Sequence, residues 1–318
     1  MNYEFDVSIC CATYNQCKYI QQTLDGFSMQ MKDTSLKIEV IIHDDCSSDG
    51  TQDILKKFQS ENKNVKLILQ NENQYSQGKK FIPILISQAK GKYIALCEGD
   101  DFWDDNNKIQ LQYDYMEKHP NCSLCVHAVN YVDQNGKFLK KYFCSDSDTE
   151  IKFTDIVEKG GNYLPTLSLF FRKSDALNLP KAYYMCPICD YPLQIFLAEK
   201  GYCYYMNKVM GSYRINSIGS MTDSLYKDTT SSINLLKDLI KMFDNFNQLY
   251  NYEYDKLFSK MKVKQQYDIY DYLGDIKSLM TEPYLTVYKN LRFLERIKTQ
   301  IRCRYPSFYR RIKKYARQ

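Results

Sequence analysis

No apolar run in the 318-residue sequence approaches the roughly 20 residues that cross a bilayer, and the start, Met1-Asn-Tyr-Glu-Phe-Asp6, lacks the basic and apolar pattern of a secretory leader. A cytoplasmic chain is expected. There is no internal repeat and no low-complexity tract, which excludes solenoids and disordered arrays. Tryptophan occurs once against 29 tyrosines, a bias with no functional reading of its own. What remains is globular in composition: 44% hydrophobic and 25% charged, long enough for about two structural units.

Cysteine is plentiful, at 12 residues, and two Cys-x-x-Cys pairs occur, Cys122/Cys125 and Cys186/Cys189. The pairs are far apart in sequence, and the first borders a strand-like run, where positions three apart face opposite sides. That argues against a four-thiolate zinc site. Cys10, Cys11 and Cys97 sit in apolar runs and read as small buried hydrophobes in a reducing compartment.

The net charge of +5 is a property of the carboxyl end. Residues 289–318 carry eleven lysines and arginines against Glu295 alone, leaving 32 basic and 37 acidic residues in the rest. Leu294, Ile297, Ile301, Tyr305, Phe308, Ile312 and Tyr315 recur three or four apart there, with Pro306 expected to break the stretch into two helices. Such a basic amphipathic segment can lie on an anionic bilayer surface, or pack on its own domain with a solvated basic face. No stacking or base-reading motif accompanies the charge, so nucleic acid is not an expected partner.

Along the chain, strands are expected at 7–12, 38–42, 65–69 and 93–97, each followed by a helical stretch (18–31, 51–60, 81–89, 108–119), which is the rhythm of βαβ units and a largely parallel sheet. Further strands are expected at 123–131, 137–143, 166–172, 201–206 and 209–214, with a helix from about 190 and a Gly/Ser loop at 216–222. From Ser231 the pattern turns to long helices, Leu235, Leu239, Met242 and Phe246 sharing one face. The unit boundary is placed near 223, giving domains 1–222 and 223–318.

The stretch Tyr93-Ile-Ala-Leu-Cys-Glu-Gly-Asp-Asp-Phe-Trp103 ends a strand in three carboxylates, Glu98, Asp100 and Asp101. In an open α/β sheet the crevice beyond the strand ends receives ligands. Clustered carboxylates repel one another, and a hard divalent cation among them, Mg²⁺ or Mn²⁺ bridging phosphates, relieves that. The alternative is a polar turn capping the next helix. Acid also follows the second strand, in His43-Asp44-Asp45-Cys-Ser-Ser-Asp-Gly-Thr51, where Asp49 fits a helix cap. Lys79 and Lys80, at the amino end of a helix, could meet phosphate or remain surface charge. Asp190 precedes Pro192 at a helix start, where an N-cap is the plain alternative.

Ala12-Thr-Tyr-Asn15, Asp44 to Thr51 and Gly91 to Trp103, in that order and spacing over about the first 220 residues, resemble family 2 glycosyltransferases. The resemblance implies a GT-A fold, an α/β nucleotide-sugar-binding architecture with a Rossmann-like mixed sheet flanked by helices, here with a helical carboxyl-terminal extension. It also implies an inverting enzyme that uses Mn²⁺ or Mg²⁺. Ala12, Thr13, Tyr14 and Asn15 would then border the nucleotide, with Lys79 and Lys80 near it. Asp45 would bond the base, Asp100 would lie by ribose and metal, and Asp101 would ligate the metal. Asp190 would be the general base. Tyr213-Arg214 resembles a Tyr-Arg pair of bacterial members, and Asn216 stands where these often carry histidine. Glu98, Trp103, Tyr213, Arg214 and Asn216 are expected to complete the donor and acceptor site.

The expected reaction moves a sugar from a nucleotide diphosphate, a UDP-sugar being favoured, to a hydroxyl of a glycan or lipid-linked saccharide in surface polysaccharide synthesis. Residues 289–318 are expected to touch the inner face of the cell membrane, and the helical unit offers a homodimer surface. A nucleotidyltransferase would need a glycine-rich basic signature where Asn15-Gln-Cys-Lys18 stands. The remaining alternative is a non-catalytic nucleotide-sugar binder or scaffold recruited by its basic tail.

Overall fold

The four apolar runs of the first hundred residues form four parallel strands. They are β1 (Phe5–Thr13), β2 (Ile38–Asp44), β3 (Val65–Leu69) and β4 (Gly91–Glu98), in spatial order β3-β2-β1-β4. Helices α1 (Ile20–Met31), α2 (Thr51–Glu61) and α3 (Phe81–Gln88) connect them. β2 is buried along its whole length, as a parallel strand covered on both faces must be, which is why these strands read as continuous apolar runs. The computed structural model describes residues 3–32, 34–217, 225 and 228–304.

Beyond β4 the sheet changes character. After β5 (Phe102–Trp103) and α4 (Lys108–Lys118) come β6 (Cys122–Val132), β7 (Phe138–Tyr142), β8 (Thr149–Ile151), α5 (Phe153–Lys159), β9 (Phe170–Arg172), α6 (Asp190–Lys200) and β10 (Tyr202–Arg214). The sheet continues β4-β9-β6-β10-β5, with β7 on β6 and β8 on β10. Only β6–β10 is parallel in this half, so the largely parallel expectation holds for half the sheet.

Two further expectations are corrected here. The strand expected over 166–172 is a 3-10 turn at Thr166–Ser168 followed by β9, because Ser168 closes the turn on the Pro165 carbonyl, its N–H at 2.9 Å and its hydroxyl at 2.7 Å. The two strands expected over 201–214 are one strand, β10, whose pairing with β6 shifts register between Met206 and Val209; a bulge had the look of a gap.

By internal contacts the chain forms two units, Met1–Tyr183 with Ile188–Asp223, and Tyr184–Pro187 with Ser224–Gln318. Residues 218–223, where the Gly/Ser loop and the boundary were expected, lie outside the described residues. In the second unit, α7 (Thr229–Leu249) starts on the Asp228 carboxylate, which accepts from the Ser231 N–H at 2.8 Å. Leu235, Leu239, Met242 and Phe246 are buried on one face of it, as their spacing requires. α8 (Asp255–Leu273), α9 (Ile276–Leu279), α10 (Tyr284–Asn290) and α11 (Phe293–Arg304) follow. Tyr305, Pro306, Phe308, Ile312 and Tyr315 are outside the described residues. No described helix is long and apolar enough to cross a membrane. All 12 cysteines are free thiols.

Trp103 is a core residue. It is 2% exposed, its indole N–H donates to the Leu167 carbonyl at 2.8 Å, and its ring lies 5.1 Å from Phe27 and 3.9 Å from the Lys108 ammonium. Gly26 permits this packing, since a Cβ there would stand 2.9 Å from the Trp103 carbonyl oxygen, a backbone atom with little room to retreat. Gly26→Ala is therefore expected to destabilise the first unit by about 1–3 kcal/mol. Melting followed by the fluorescence of the sole tryptophan checks this, and an unchanged midpoint would refute the close-approach argument.

Candidate active site

Three strand ends are laced together by backbone. At the end of β1, Ala12 accepts from the Gly99 N–H at 2.9 Å, and Thr13 accepts from the Asp45 N–H at 3.0 Å. Asn15, in the left-handed region at φ 50°, donates its N–H to Ser47 Oγ at 2.8 Å and accepts the Ser48 N–H at 2.9 Å. Gln16 and Cys17 donate to Thr51 Oγ1 and Asp49 Oδ2, each at 2.9 Å, so Asp49 serves this seam as well as the start of α2. Tyr14 is left 39% exposed at the edge. Glycine is required at 99, where a Cβ would meet Gln16 Oε1 at 2.4 Å and Thr13 Cβ at 2.8 Å.

The two acids after β2 divide their work. Asp44 is fully buried and accepts from the Ser47 N–H and hydroxyl and from Gln52, an internal clasp for its own loop. Asp45 turns the other way and accepts the Gln74 and Tyr75 N–H groups at 2.7 and 3.0 Å. Its carboxylate thus anchors the loop between β3 and α3.

At the end of β4, Asp101 is 1% exposed; one oxygen accepts the Arg214 N–H at 2.7 Å and the other, Oδ2, is buried with no hydrogen-bond partner. Asp100 accepts the Ser217 hydroxyl at 2.5 Å, while its carbonyl takes the Arg214 Nε at 2.8 Å. The Arg214 guanidinium also reaches Gln22 Oε1 at 2.9 Å and the Asp133 carbonyl at 3.2 Å. It is a buried clamp between the acid loop, α1 and the turn after β6. The Thr166 hydroxyl bonds Asp190 Oδ2 at 3.1 Å and also meets Glu98.

These acids feel one another. Burial, then Asp100 and Asp190, push the Glu98 carboxyl up to about 8. Burial, then Asp100 and Glu98, drive Asp101 well above the carboxylate range. Asp100 is raised by burial against the opposing pull of Ser217 and Arg214. Asp190 is raised by burial, with the Tyr191 N–H, Thr166 and Lys80 pulling the other way. Burial raises the Tyr213 phenol, and the fields of Asp101, Glu98, Asp100 and Asp190 raise it further, so four carboxylates gather around this one ring.

Among the described residues no three His, Cys, Asp or Glu side chains form a ready cation cage. The donors nonetheless fit a hexacoordinate cation of the Mg²⁺ type, which is commonly held by one or two carboxylates plus substrate phosphates. The unpartnered Asp101 oxygen, with Asp100 and Glu98 beside it, is a donor set of that kind.

Of the expected site residues, Glu98, Asp100, Asp101, Asp190 and Tyr213 share one neighbourhood. Ala12, Thr13, Asn15 and Asp45 line the strand ends beside it. Asn216 is exposed, with φ 58°. Trp103 faces the core and is corrected to a packing residue, because its single polar atom is satisfied internally. Lys80 is also turned inward, its ammonium donating to the Tyr183 and Ile188 carbonyls at 2.5 and 2.6 Å, and Lys79 donates to Gln74 Oε1 at 2.6 Å. Arg214 is spent on the acid loop, through the Asp101 carboxylate and the Asp100 carbonyl. Thr166, Ser217 and Gln16, which also bonds Asp100, are site residues that the sequence reading missed. Ser217 could have been found three residues after Arg214, but a lone hydroxyl in a loop carries no pattern.

Residues 8–177, just over half the chain, match the model of Glycosyl transferase family 2, and the chain belongs to that family. An uncharacterised protein of Mycobacterium tuberculosis is 30% identical over 222 residues, 70% of this chain and 62% of that one, so the match spans under two thirds of that relative. The putative teichuronic acid biosynthesis glycosyltransferase TuaG of Bacillus subtilis is 25% identical, covering 67% of this chain and 81% of its own. Staphylococcus aureus TarS, solved in complex with UDP-GlcNAc, superposes with a TM-score of 0.59 at 15% identity, over 94% of this chain and 79% of that one. The fold is GT-A.

The raised Glu98 carboxyl has a consequence for stability. The folded protein keeps a proton that an ordinary carboxyl, at 4.5, gives up, so this contribution is complete below about pH 4.5 and is lost as pH rises through about 8. Without divalent cation, the urea midpoint of the wild type should fall relative to that of Glu98→Gln between about pH 4.5 and pH 8 and run parallel to it above that. Profiles parallel throughout would contradict a protonated Glu98.

Proposed function

We propose that this chain is an inverting, divalent-cation-dependent glycosyltransferase. It moves a sugar from a nucleotide-diphosphate donor, a UDP-sugar by preference, to a hydroxyl of a glycan or lipid-linked saccharide in surface polysaccharide synthesis. The observation that carries the reading is the gathering around Tyr213 of a carboxylate with a free buried oxygen, Asp101, and a carboxylate at the start of a helix, Asp190. Family membership, the UDP-GlcNAc complex of TarS and the name of TuaG support the donor and the setting.

In this reading Asp101, with Asp100 beside it, holds the cation, Mn²⁺ or Mg²⁺. When bound, the cation stabilises charge on the departing diphosphate. Asp45 takes the base, and Thr13 to Asn15 border the nucleotide. The acceptor hydroxyl oxygen bonds to the anomeric carbon as the carbon–oxygen bond to the diphosphate breaks, and the hydroxyl proton passes to Asp190. Burial raises Asp190 and so strengthens it as a base. Thr166 orients it, and Lys80 braces the preceding loop through the Ile188 carbonyl.

The basic carboxyl-terminal region is read as the contact with the inner membrane surface. Within its described part, α11 turns Phe293, Leu294 and Ile297 outward, while Thr299 on another face is 3% exposed and Arg302 pairs with Asp271 at 2.5 Å. An apolar outward face flanked by arginine and lysine suits an anionic interface.

A panel of nucleotide sugars with Mn²⁺ or Mg²⁺, read by release of nucleoside diphosphate, tests the activity. Release from none of them would reject it. Asp190→Asn should lower turnover by about 10²–10⁴-fold while nucleotide binding persists, since general-base catalysis contributes on that order. Wild-type turnover would remove Asp190 from the chemistry. Asp101→Ala should abolish the gain in UDP affinity that Mn²⁺ confers, and calorimetry showing the same gain would exclude Asp101 as a ligand.

A further inference from the structure

The β6–β7 hairpin carries a surface that the proposed chemistry does not use. β7 pairs with β6 and with no other strand among the described residues, which makes it an edge. Its sequence, Lys137-Phe-Leu-Lys-Lys-Tyr-Phe143, places three apolar side chains in solvent: Phe138 at 53%, Leu139 at 46% and Phe143 at 42% exposure. Alternation along the strand sets Leu139, Lys141 and Phe143 on one face, and Lys140 and Tyr142 on the face toward Tyr131. Lysine on an edge strand ordinarily blocks pairing with another chain. Exposed phenylalanine and leucine beside it work against that purpose, so edge protection does not explain the set. Neither Lys140 nor Lys141 makes an ion pair among the described residues. Asp133 accepts the Asn135 and Lys137 N–H groups of its own turn, and Asp148 accepts from Tyr204 and Asn207.

We propose that this hairpin docks the catalytic unit on an anionic lipid surface, with Leu139, Phe143 and Phe138 entering the interface and Lys137, Lys140 and Lys141 meeting lipid phosphates. The charge argues for this occupant: an apolar stripe bordered by lysines that make no ion pair, Lys140 resting only over the Tyr131 ring at 5.2 Å, complements an anionic bilayer, and a purely apolar partner would leave the lysines unmatched. The hairpin is also continuous with the site. Arg214 binds its turn at the Asp133 carbonyl and the acid loop at the Asp100 carbonyl, and Tyr131 on β6 lies 5.5 Å from Tyr213. Docking there would set the distance of the carboxylates from the lipid surface, the hairpin and the acids belonging to the same compact unit.

The test uses the full-length protein with vesicles of phosphatidylglycerol and, separately, phosphatidylcholine, and it needs no turnover, so its failure leaves the transfer reading untouched. The wild type should bind the phosphatidylglycerol vesicles. Lys140→Gln with Lys141→Gln should weaken that binding by roughly thirtyfold, about fivefold for each lysine. Leu139→Ser with Phe143→Ser should weaken it too, all four positions being exposed and the fold checked by circular dichroism. Phe138→Trp supplies a reporter whose emission should shift to the blue on phosphatidylglycerol vesicles, the native Trp103 being buried. Absence of wild-type binding, wild-type affinity in the lysine variant, or an unshifted reporter would each overturn the proposal. So would a concentration-dependent dimer that Leu139→Ser with Phe143→Ser dissociates, which would assign the face to a second copy of the chain.

Discussion

The constraint on which the site depends is mutual repulsion among carboxylates with little water to screen it. Asp101 is buried and Glu98, Asp100 and Asp190 are partly buried near Tyr213, and each is held away from its ordinary titration range. A fold keeps such a cluster only by supplying donors that do not move. Here these are mostly backbone or short hydroxyl groups: the Arg214 N–H on Asp101, Ser217 on Asp100, Thr166 on Asp190. The Asp101 oxygen left without a donor is then the position where a ligand contributes most, because an unpaired buried acceptor forfeits its solvation.

The rest of the catalytic unit braces this arrangement. Arg214 fastens the acid loop to α1 and to the β6–β7 turn, and Gly99 lets that loop settle against Thr13 and Gln16. Asp45 grips the loop after β3 at Gln74 and Tyr75. A few residues on, Lys80 grips the Tyr183 and Ile188 carbonyls just before Asp190. The acid assigned to the base and the acid assigned to the acceptor proton therefore belong to one chain of contacts through the 74–80 segment. Lys80, which looked available for phosphate, serves instead as an internal tie.

Much of this was legible in the sequence, for physical reasons that also mark where legibility stops. β1, β2 and β4 are buried along most of their length, so their apolar runs are unmistakable, while the edge strand β3 keeps Lys66 exposed; acids at the ends of β2 and β4 announce the crevice. Asp190 could be placed because Pro192 fixes a helix start. Short elements carry no period, so β5, β8 and α5 went unread, and the bulge in β10 looked like a chain break. Trp103 and Lys80 were misassigned because aromatic and basic side chains near a site are equally suited to packing under it. Thr166 and Ser217 are recognisable only by what they touch. In α7 the spacing of Leu235, Leu239, Met242 and Phe246 sufficed, since helix burial follows its own period.

The central claim is an acid cluster that stays partly protonated until a cation and a nucleotide arrive. Calorimetric titration of the protein with UDP and Mn²⁺ near neutral pH, in two buffers of different ionisation enthalpy, reads the proton balance of that event directly. Net proton release on binding is expected, because burial and the neighbouring Asp100 and Asp190 push the Glu98 carboxyl up to about 8 and the cation favours the charged forms. Binding with no buffer dependence would mean that the carboxylates were already ionised, and would contradict the claim.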